Sequence, residues 1–213
     1  MTEPQSLLNP SAYFVSAVYT IQKPEFLQDV LAVADELLAK AKAERPVHEV
    51  YPSIMSSNFT GYERTVAFET FIAESAWIIL DSQGYKMDGV STYNNELWAQ
   101  EHQKFSGMEQ HIHNYGVVIS GFYFLNTPEE GCMVELHDPR PGKVQAALPL
   151  KDPSKVTDGS SSLFLKPEAG MFIFTNSWLP HSFTRNMASE PVKFVHFNVS
   201  VRANAQPAAP IIV

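Results

Sequence analysis

Cysteine, long hydrophobic runs and basic clusters are all scarce in this sequence. Cys132 is the single cysteine, so an intrachain disulfide and a cysteine-based zinc site are both excluded. The longest apolar stretches, residues 76–80 and 171–174, fall far short of the roughly 20 residues that a membrane-spanning helix needs. We therefore expect neither a disulfide-stabilised nor a membrane-embedded protein.

Positive charge is scarce as well. Lys and Arg total 15 against 23 Asp and Glu, which gives a net charge of -8, and no basic run matches a row of phosphates. The first residues, MTEPQSLLNPSAYF, lack the basic start and the apolar centre of a signal peptide. These absences argue against a nucleic-acid partner and against secretion, and a reducing cytoplasm is the expected location.

What the sequence does contain is a folded, turn-rich chain of 213 residues, the size of one domain. Apolar residues recur at helical spacing over residues 24–43 and again over residues 65–83, and both patterns predict an amphipathic helix. We expect a single domain over residues 1–213. Its N-terminal part, residues 1–93, is expected to be helical and to brace a sheet.

From residue 94 onward, short runs of β-branched and aromatic residues alternate with turn signals that contain Pro and Gly. This pattern predicts antiparallel strands in a mainly β core, and it is typical of a double-stranded β-helix, or jelly roll, over residues 94–202. A polar stretch, residues 148–161, predicts a loop at one mouth of the barrel. The predicted strands are residues 97–103, 109–114, 117–125, 132–137, 162–165, 171–175 and 192–201.

Three histidines are the candidates for a metal centre. His111 and His113 lie two positions apart in a predicted strand, and side chains alternate between the two faces of a strand. Both imidazoles therefore face one side, and Ile112 faces the other. His181 follows about 70 residues later, after the strand predicted over residues 171–175. Such a set suits a facial triad of ligands that leaves metal positions open for substrate and oxygen. The alternative is a structural pair of histidines at the surface or in the core.

Several short motifs occur in one order, and together they are more specific than any one of them. They are SNFTGY at residues 57–62, ELW at 96–98, QHIH at 110–113, SGFYFL at 120–125, DPR at 138–140, PEAGMFIF at 167–174, SWLPH at 177–181 and FNV at 197–199. In this combination the chain resembles a family of 2-oxoglutarate/iron(II) oxygenases that is similar to prolyl 4-hydroxylases and is frequent in marine bacteria and their phages. The similarity covers most of the chain.

The resemblance implies a double-stranded β-helix that holds iron(II), with 2-oxoglutarate chelating the metal and a basic residue binding its distal carboxylate. The usual ligands are His-x-Asp and a distant His, whereas His113 stands here at the position of the acid. A neutral imidazole in place of a carboxylate leaves the site one charge more positive, and iron still binds. Asp138 is an alternative carboxylate ligand, although Asp138-Pro139-Arg140 also has the pattern of an ordinary turn.

The basic residue for the distal carboxylate is a second departure from the family. The usual Arg lies on the last strand, where the aligned position here is Val192 or Lys193. Strict alternation puts His196 and Asn198 on the face of Val192, so Lys193 enters the pocket only if the strand is bulged. The candidates for binding the co-substrate are Lys193, Arg185, Asn198 and, through its hydroxyl group, Tyr123.

The resulting hypothesis is an iron(II)- and 2-oxoglutarate-dependent dioxygenase that hydroxylates a small-molecule or peptidyl substrate. Two alternatives stay open at this point: a cupin-type enzyme that binds its substrate at three histidines without 2-oxoglutarate, and a jelly-roll protein that binds metal without turnover. The identity of the substrate does not follow from the sequence. The apolar tail, residues 208–213, is a candidate interface for a homodimer.

Overall fold

The computed structural model describes residues 9, 11–113, 115–146 and 148–204. One-turn 3-10 helices at Pro24–Phe26 and Glu63–Thr65 lead into the first two α-helices. The helices and strands of the described residues are β1 (Val18–Gln22), α1 (Leu27–Glu44), β2 (Ser53–Met55), α2 (Val66–Ser82), β3 (Val90–His102), β4 (Met108–His111), β5 (Val117–Asn126), β6 (Val134–His137), α3 (Pro141–Gln145), β7 (Ser162–Leu165), β8 (Met171–Asn176), β9 (His181–Phe183) and β10 (Val192–Ala203).

Two antiparallel sheets form the body of the fold. The large sheet has the strand order β1-β8-β5-β10-β3-β2, and the small sheet has the order β4-β9-β6-β7. Strand β10 lies near the middle of the large sheet, between β5 and β3, although it comes last in the chain. The fold class expected from the sequence, a mainly β jelly roll with bracing helices, is confirmed.

The strands of the large sheet have two buried faces, and successive residues alternate between them. One face packs against α1 and α2, and the other packs against the small sheet. Because both faces are covered, β5 and β10 are buried over most of their length. Members of the helix side include Tyr123, Phe172, Val195 and Phe197, whereas members of the inner side include Phe122, Ile173, Phe183 and Phe194.

The predicted helices and strands are all present, with shifted ends. The helices begin at Leu27 and Val66, each after a 3-10 turn. Strand β3 begins at Val90, seven residues before the predicted start at residue 97, and β4 ends at His111. The described residues of the stretch 148–161 form no helix or strand. The sequence therefore located these elements better than their boundaries, as expected when tertiary pairing decides where a strand ends.

Three strands were not predicted. Strands β2 and β9 have three residues each, too few for an alternation pattern to show. Strands β1 and β2 lie within residues 1–93 and belong to the large sheet, so the N-terminal part is not purely helical. No helix among the described residues is long and apolar enough to cross a membrane. The tail at residues 208–213 lies outside the described residues, and the single domain over residues 1–213 stays a prediction.

Candidate metal centre

Adjacent strands of the small sheet bring the first candidate ligands together. His111 of β4 is the cross-strand partner of His181 of β9, and their ring centroids are 4.5 Å apart. His113 lies just beyond β4, where its backbone N–H donates to the carbonyl of Ser177 at 2.9 Å. Its ring stacks on that of His181 at 5.3 Å. The side chain between the pair, Ile112, is half-exposed, so both histidines face inward as their spacing predicts.

A fourth histidine enters from the opposite sheet. His196 of β10 lies with its ring centroid 4.7 Å from that of His113. One ligand atom from each of His111, His113, His181 and His196 lies within 4.8 Å of the others. Metal–imidazole bonds of about 2.1 Å put opposite ligand atoms about 4.2 Å apart, so small ring movements suffice to close this set around an ion. His196 was not among the ligand candidates from the sequence, although alternation along β10 had placed it on the inner face.

The hydrogen bonds of these imidazoles leave nitrogen atoms free for a metal. Nδ1 of His111 donates to the carbonyl of Glu109 at 2.8 Å, and Nδ1 of His181 donates to the carbonyl of Leu179 at 3.0 Å. A backbone carbonyl only accepts, so Nδ1 carries the proton and Nε2 keeps its lone pair. Nε2 of His113, Nε2 of His181 and both nitrogens of His196 are buried without a hydrogen-bond partner. The residues therefore fit a metal ion that accepts imidazole ligands.

Burial keeps these side chains neutral. Burial and the neighbouring His111 lower the pKa of His181 to about 3 and the pKa of His113 to about 4. Burial lowers the pKa of His196 well below its ordinary range. A neutral imidazole is the form that binds a metal, so no proton has to leave these rings at neutral pH.

Asp138, the alternative carboxylate ligand, lies elsewhere. It is not among the residues whose ligand atoms converge. Its carboxylate accepts two hydrogen bonds from the Arg140 guanidinium, at 2.9 and 2.7 Å, and one from the Arg140 backbone N–H at 3.0 Å. These bonds lower the pKa of Asp138 to about 2. Asp138 directly follows the end of β6, and its carboxylate closes an ordinary Asx turn.

The structure places both basic candidates outside the barrel. Nζ of Lys193 lies 2.7 Å from a carboxylate oxygen of Asp35, which is in α1, so Lys193 is on the helix side of β10. A register irregularity occurs next to Lys193, but it does not turn the side chain inward. Arg185 is more than half-exposed and contacts Glu109 at 3.7 Å. Among the described residues, no Lys or Arg is buried.

The other two co-substrate candidates have opposite positions. The Tyr123 hydroxyl donates to the carbonyl of Lys23 at 2.8 Å, and its ring packs on Phe172 on the helix side of β5. Asn198 lies on the inner side of β10, two positions from His196, and accepts a hydrogen bond from the Ser120 hydroxyl at 3.1 Å. Of the four candidates, only Asn198 is on the inner face of the barrel with the histidines.

A cavity of about 620 Å³ is lined by two neighbours of His181, although none of the four histidines lines it. Two of its lining residues, Leu136 and Leu179, contact the metal-binding strand directly: Leu136 is the cross-strand partner of His181, and the Leu179 carbonyl binds His181 Nδ1. The N-terminal segment, residues 11–16, and the loop at residues 156–162 line the outer part. The size suits a small molecule or a few residues of a peptide.

A jelly roll that converges histidines on one buried point next to a cavity defines a class of metal-dependent enzyme. Residues 96–198 match the profile of a family described as "Putative 2OG-Fe(II) oxygenase", where 2OG is 2-oxoglutarate. Over this part of the chain, just under half of its residues, the protein is similar to a family of oxidoreductases whose cofactors are iron(II) and 2-oxoglutarate. No curated protein sequence matches the chain.

Solved structures share the fold at low sequence identity. A prolyl-4-hydroxylase from Pseudomonas putida is 12% identical with a TM-score of 0.59, over 87% of this chain and 93% of that one. The epimerase SnoN in complex with Fe3+, alpha ketoglutarate and nogalamycin RO is 14% identical with a TM-score of 0.59, over 89% and 82%. A prolyl hydroxylase from Trichoplax adhaerens, in complex with a peptide fragment, is 12% identical with a TM-score of 0.53, over 86% and 83%.

Proposed function

We propose that this oxygenase is a hydroxylase whose iron(II) is held by His111, His113 and His181. The observation that carries the proposal is the convergence of these imidazoles at one point of the barrel, where Nε2 of His113 and Nε2 of His181 are buried without a hydrogen-bond partner. Imidazole nitrogen is a suitable ligand for iron, and three ligands on one side leave positions for the co-substrate. The ligand set follows the order His-x-His and a distant His that the sequence contains.

When bound, iron(II) and 2-oxoglutarate would supply the oxidising chemistry: one atom of O2 converts a C–H bond to C–OH, and the other enters succinate as 2-oxoglutarate loses CO2. The protein fixes the rings: the carbonyls of Glu109 and Leu179 set the orientation of His111 and His181. Phe122 contacts His181 and His196 at centroid distances of 5.4 and 4.6 Å, so this wall of the site is apolar. Apolar walls exclude water from the reacting centre.

We assign the substrate to the cavity beside His181. Its lining combines apolar side chains, including Leu136 and Leu163, with a serine-rich rim at residues 160–162. The Arg140 guanidinium at this cavity is already paired with Asp138, so it offers no free cation to an acidic substrate. Structural relatives include one enzyme in complex with a small molecule and one in complex with a peptide fragment. A small-molecule or peptidyl substrate without a required negative charge is therefore the proposed class.

The test begins with metal-free protein under anaerobic conditions. Iron(II) and 2-oxoglutarate are added, and the weak visible charge-transfer band of the chelate is recorded for wild type, His181→Ala and His137→Ala. The band is expected for wild type and for the control His137→Ala, because His137 contacts Ser182 outside the cluster. It is expected to be lost in His181→Ala.

Two other results would change the proposal. Iron binding through the histidines without the band would favour the cupin-type alternative, in which the substrate binds the metal and 2-oxoglutarate has no part. A band with no oxygen-dependent succinate formation, even with candidate substrates present, would favour a metal-binding protein without turnover. Oxygen uptake and succinate formation in wild type support the hydroxylase.

A further inference from the structure

In the part of the chain that the structure describes, His196 is the one histidine of the cluster with both ring nitrogens buried and unpaired. It is fully buried, and neither Nδ1 nor Nε2 has a hydrogen-bond partner. His111 and His181 differ, because a backbone carbonyl holds Nδ1 of each. Buried polar groups in native proteins are nearly always paired, and an imidazole with two unpaired nitrogens is costly. A group that the polypeptide does not supply has to provide the partner.

The ring of His196 is also held in place. Trp98 of the neighbouring strand stacks on it, with ring centroids 4.2 Å apart and planes 16° apart. Phe122 meets it edge-on at 4.6 Å. Indole and phenyl faces fix the plane of the imidazole without competing for its nitrogen atoms. The ring edge is left to face the other histidines, with His113 at 4.7 Å.

We propose that His196 is a fourth protein ligand of the iron, so that the site at rest holds its metal by four neutral imidazoles. This inference rests on the function proposed above and adds a residue to the same site. It accounts for the two unpaired nitrogens of His196 and for the stacking that orients the ring. It also explains why the ligand atoms of four histidines, and not three, converge within 4.8 Å.

Charge balance permits a ligand set made only of neutral histidines. In the usual arrangement that the sequence resembles, a carboxylate ligand and a basic residue contribute one negative and one positive charge. This chain has neither inside the barrel: the acid position holds His113, and no Lys or Arg among the described residues is buried. The missing negative charge and the missing positive charge cancel. The charge of +2 on iron(II) therefore balances the charge of −2 on the two carboxylates of 2-oxoglutarate. Burial of the dianion therefore needs no separate basic residue, because charges in a dry interior have to be paired.

Coordination number fits as well. Four imidazole ligands would leave two positions of a six-coordinate metal, which is the number that a chelating 2-oxo acid would need.

The test uses cobalt(II) as a spectroscopic probe of the metal-free chain. We expect His196→Ala to bind cobalt(II) at least tenfold more weakly than wild type and to show shifted visible bands. Added imidazole should enter the vacated space and restore the wild-type spectrum. The matched control is His102→Ala, which removes another fully buried imidazole of the inner face that is not part of the cluster. Its cobalt(II) affinity and spectrum should remain those of wild type.

The outcomes separate this inference from the proposed function. Loss of cobalt(II) by His181→Ala, with wild-type binding and spectrum in His196→Ala, would overturn the fourth ligand alone. Wild-type binding in His181→Ala would overturn the proposed metal site itself. Pulsed EPR of copper(II)-loaded wild type counts the coordinated imidazoles directly and needs no variant that has to fold. Four coordinated imidazoles are expected, and three would overturn the inference.

Discussion

At the scale of single residues, neighbours decide what a side chain does. Asp138 and His113 were both candidate ligands, yet one is tied to Arg140 and the other faces three imidazoles. The carboxylate of Asp138 has a nearby cation to pair with, so its charge is used in a turn. His113 has no acceptor for Nε2 among the described residues, so its nitrogen stays free for a metal.

The ion pair of Asp138 predicts a pH-dependent contribution to stability. Its pKa is lowered to about 2 in the folded protein, so its stabilising effect is fully present above the unfolded pKa of about 3.9 and is lost as pH falls towards 2. We expect Asp138→Asn to lower the free energy of unfolding by about 1 kcal/mol at pH 7, because solvent screens the exposed Arg140. Urea unfolding at pH 7 and pH 3 should show this difference shrinking at the lower pH.

Arg140→Gln is the partner variant for this measurement. It should have a similar effect at pH 7, and the double variant should lose little more than either single variant, because both remove the same pair. Equal stability of wild type and Asp138→Asn at pH 7 would contradict the assignment of Asp138 to a stabilising turn.

At the scale of elements, close packing of strands sets what the sheet tolerates. Gly121 of β5 lies between Phe174 of β8 and Phe197 of β10. A Cβ atom at this position would meet the carbonyl oxygen of Ile173 and the ring of Phe197 closer than normal contact distance. The absence of a side chain at Gly121 therefore lets β5 sit between its neighbours at the centre of the large sheet.

We expect Gly121→Ala to lower the free energy of unfolding by about 1–3 kcal/mol, as overpacking of a core does. The matched control is Gly142→Ala in α3, where an added Cβ meets nothing within 4 Å. That variant should be neutral or slightly stabilising, since Ala favours a helix more than Gly. Thermal unfolding of both variants provides the comparison, and a Gly121→Ala protein as stable as the control would show that the strands can separate to admit a methyl group.

At the scale of the whole molecule, the metal should link the two sheets. His111 and His181 belong to the small sheet, whereas His196 belongs to the large one. The unfolded chain does not bring these residues together, so a metal ion binds the folded state preferentially. Such binding adds about 2.7 kcal/mol at a free metal concentration 100-fold above the dissociation constant.

For a protein of this size, that energy corresponds to a rise of roughly 5–10 °C in melting temperature. We expect anaerobic iron(II) to produce this rise in wild type and in His137→Ala, and to produce little or none in His181→Ala. Calorimetry or fluorescence of the same samples with and without iron measures it. An equal rise in His181→Ala would place the stabilising metal somewhere other than the histidine cluster.

The sequence predicted two helices and seven strands because their apolar patterns are long enough to count, and it predicted His111, His113 and His181 because a His-x-His pair and a distant histidine stand out. It did not predict β9, whose three residues carry no visible alternation, or the role of His196, which lies within an apolar strand. Lys193 shows the remaining difficulty. Its neighbours in sequence allowed either face, and only the salt bridge to Asp35 of α1 places it on the helix side.

By itself, the sequence determined the fold class, the resemblance to the oxygenase family and the metal-binding residue types, because periodicity and motif order are local properties of the chain. The tertiary structure decided which side chains share the interior. Pairing of β4 with β9 and burial of β10 between β5 and β3 bring four imidazoles to one point and leave every basic residue that the structure describes outside. That outcome depends on contacts between residues far apart in sequence, which no local pattern encodes.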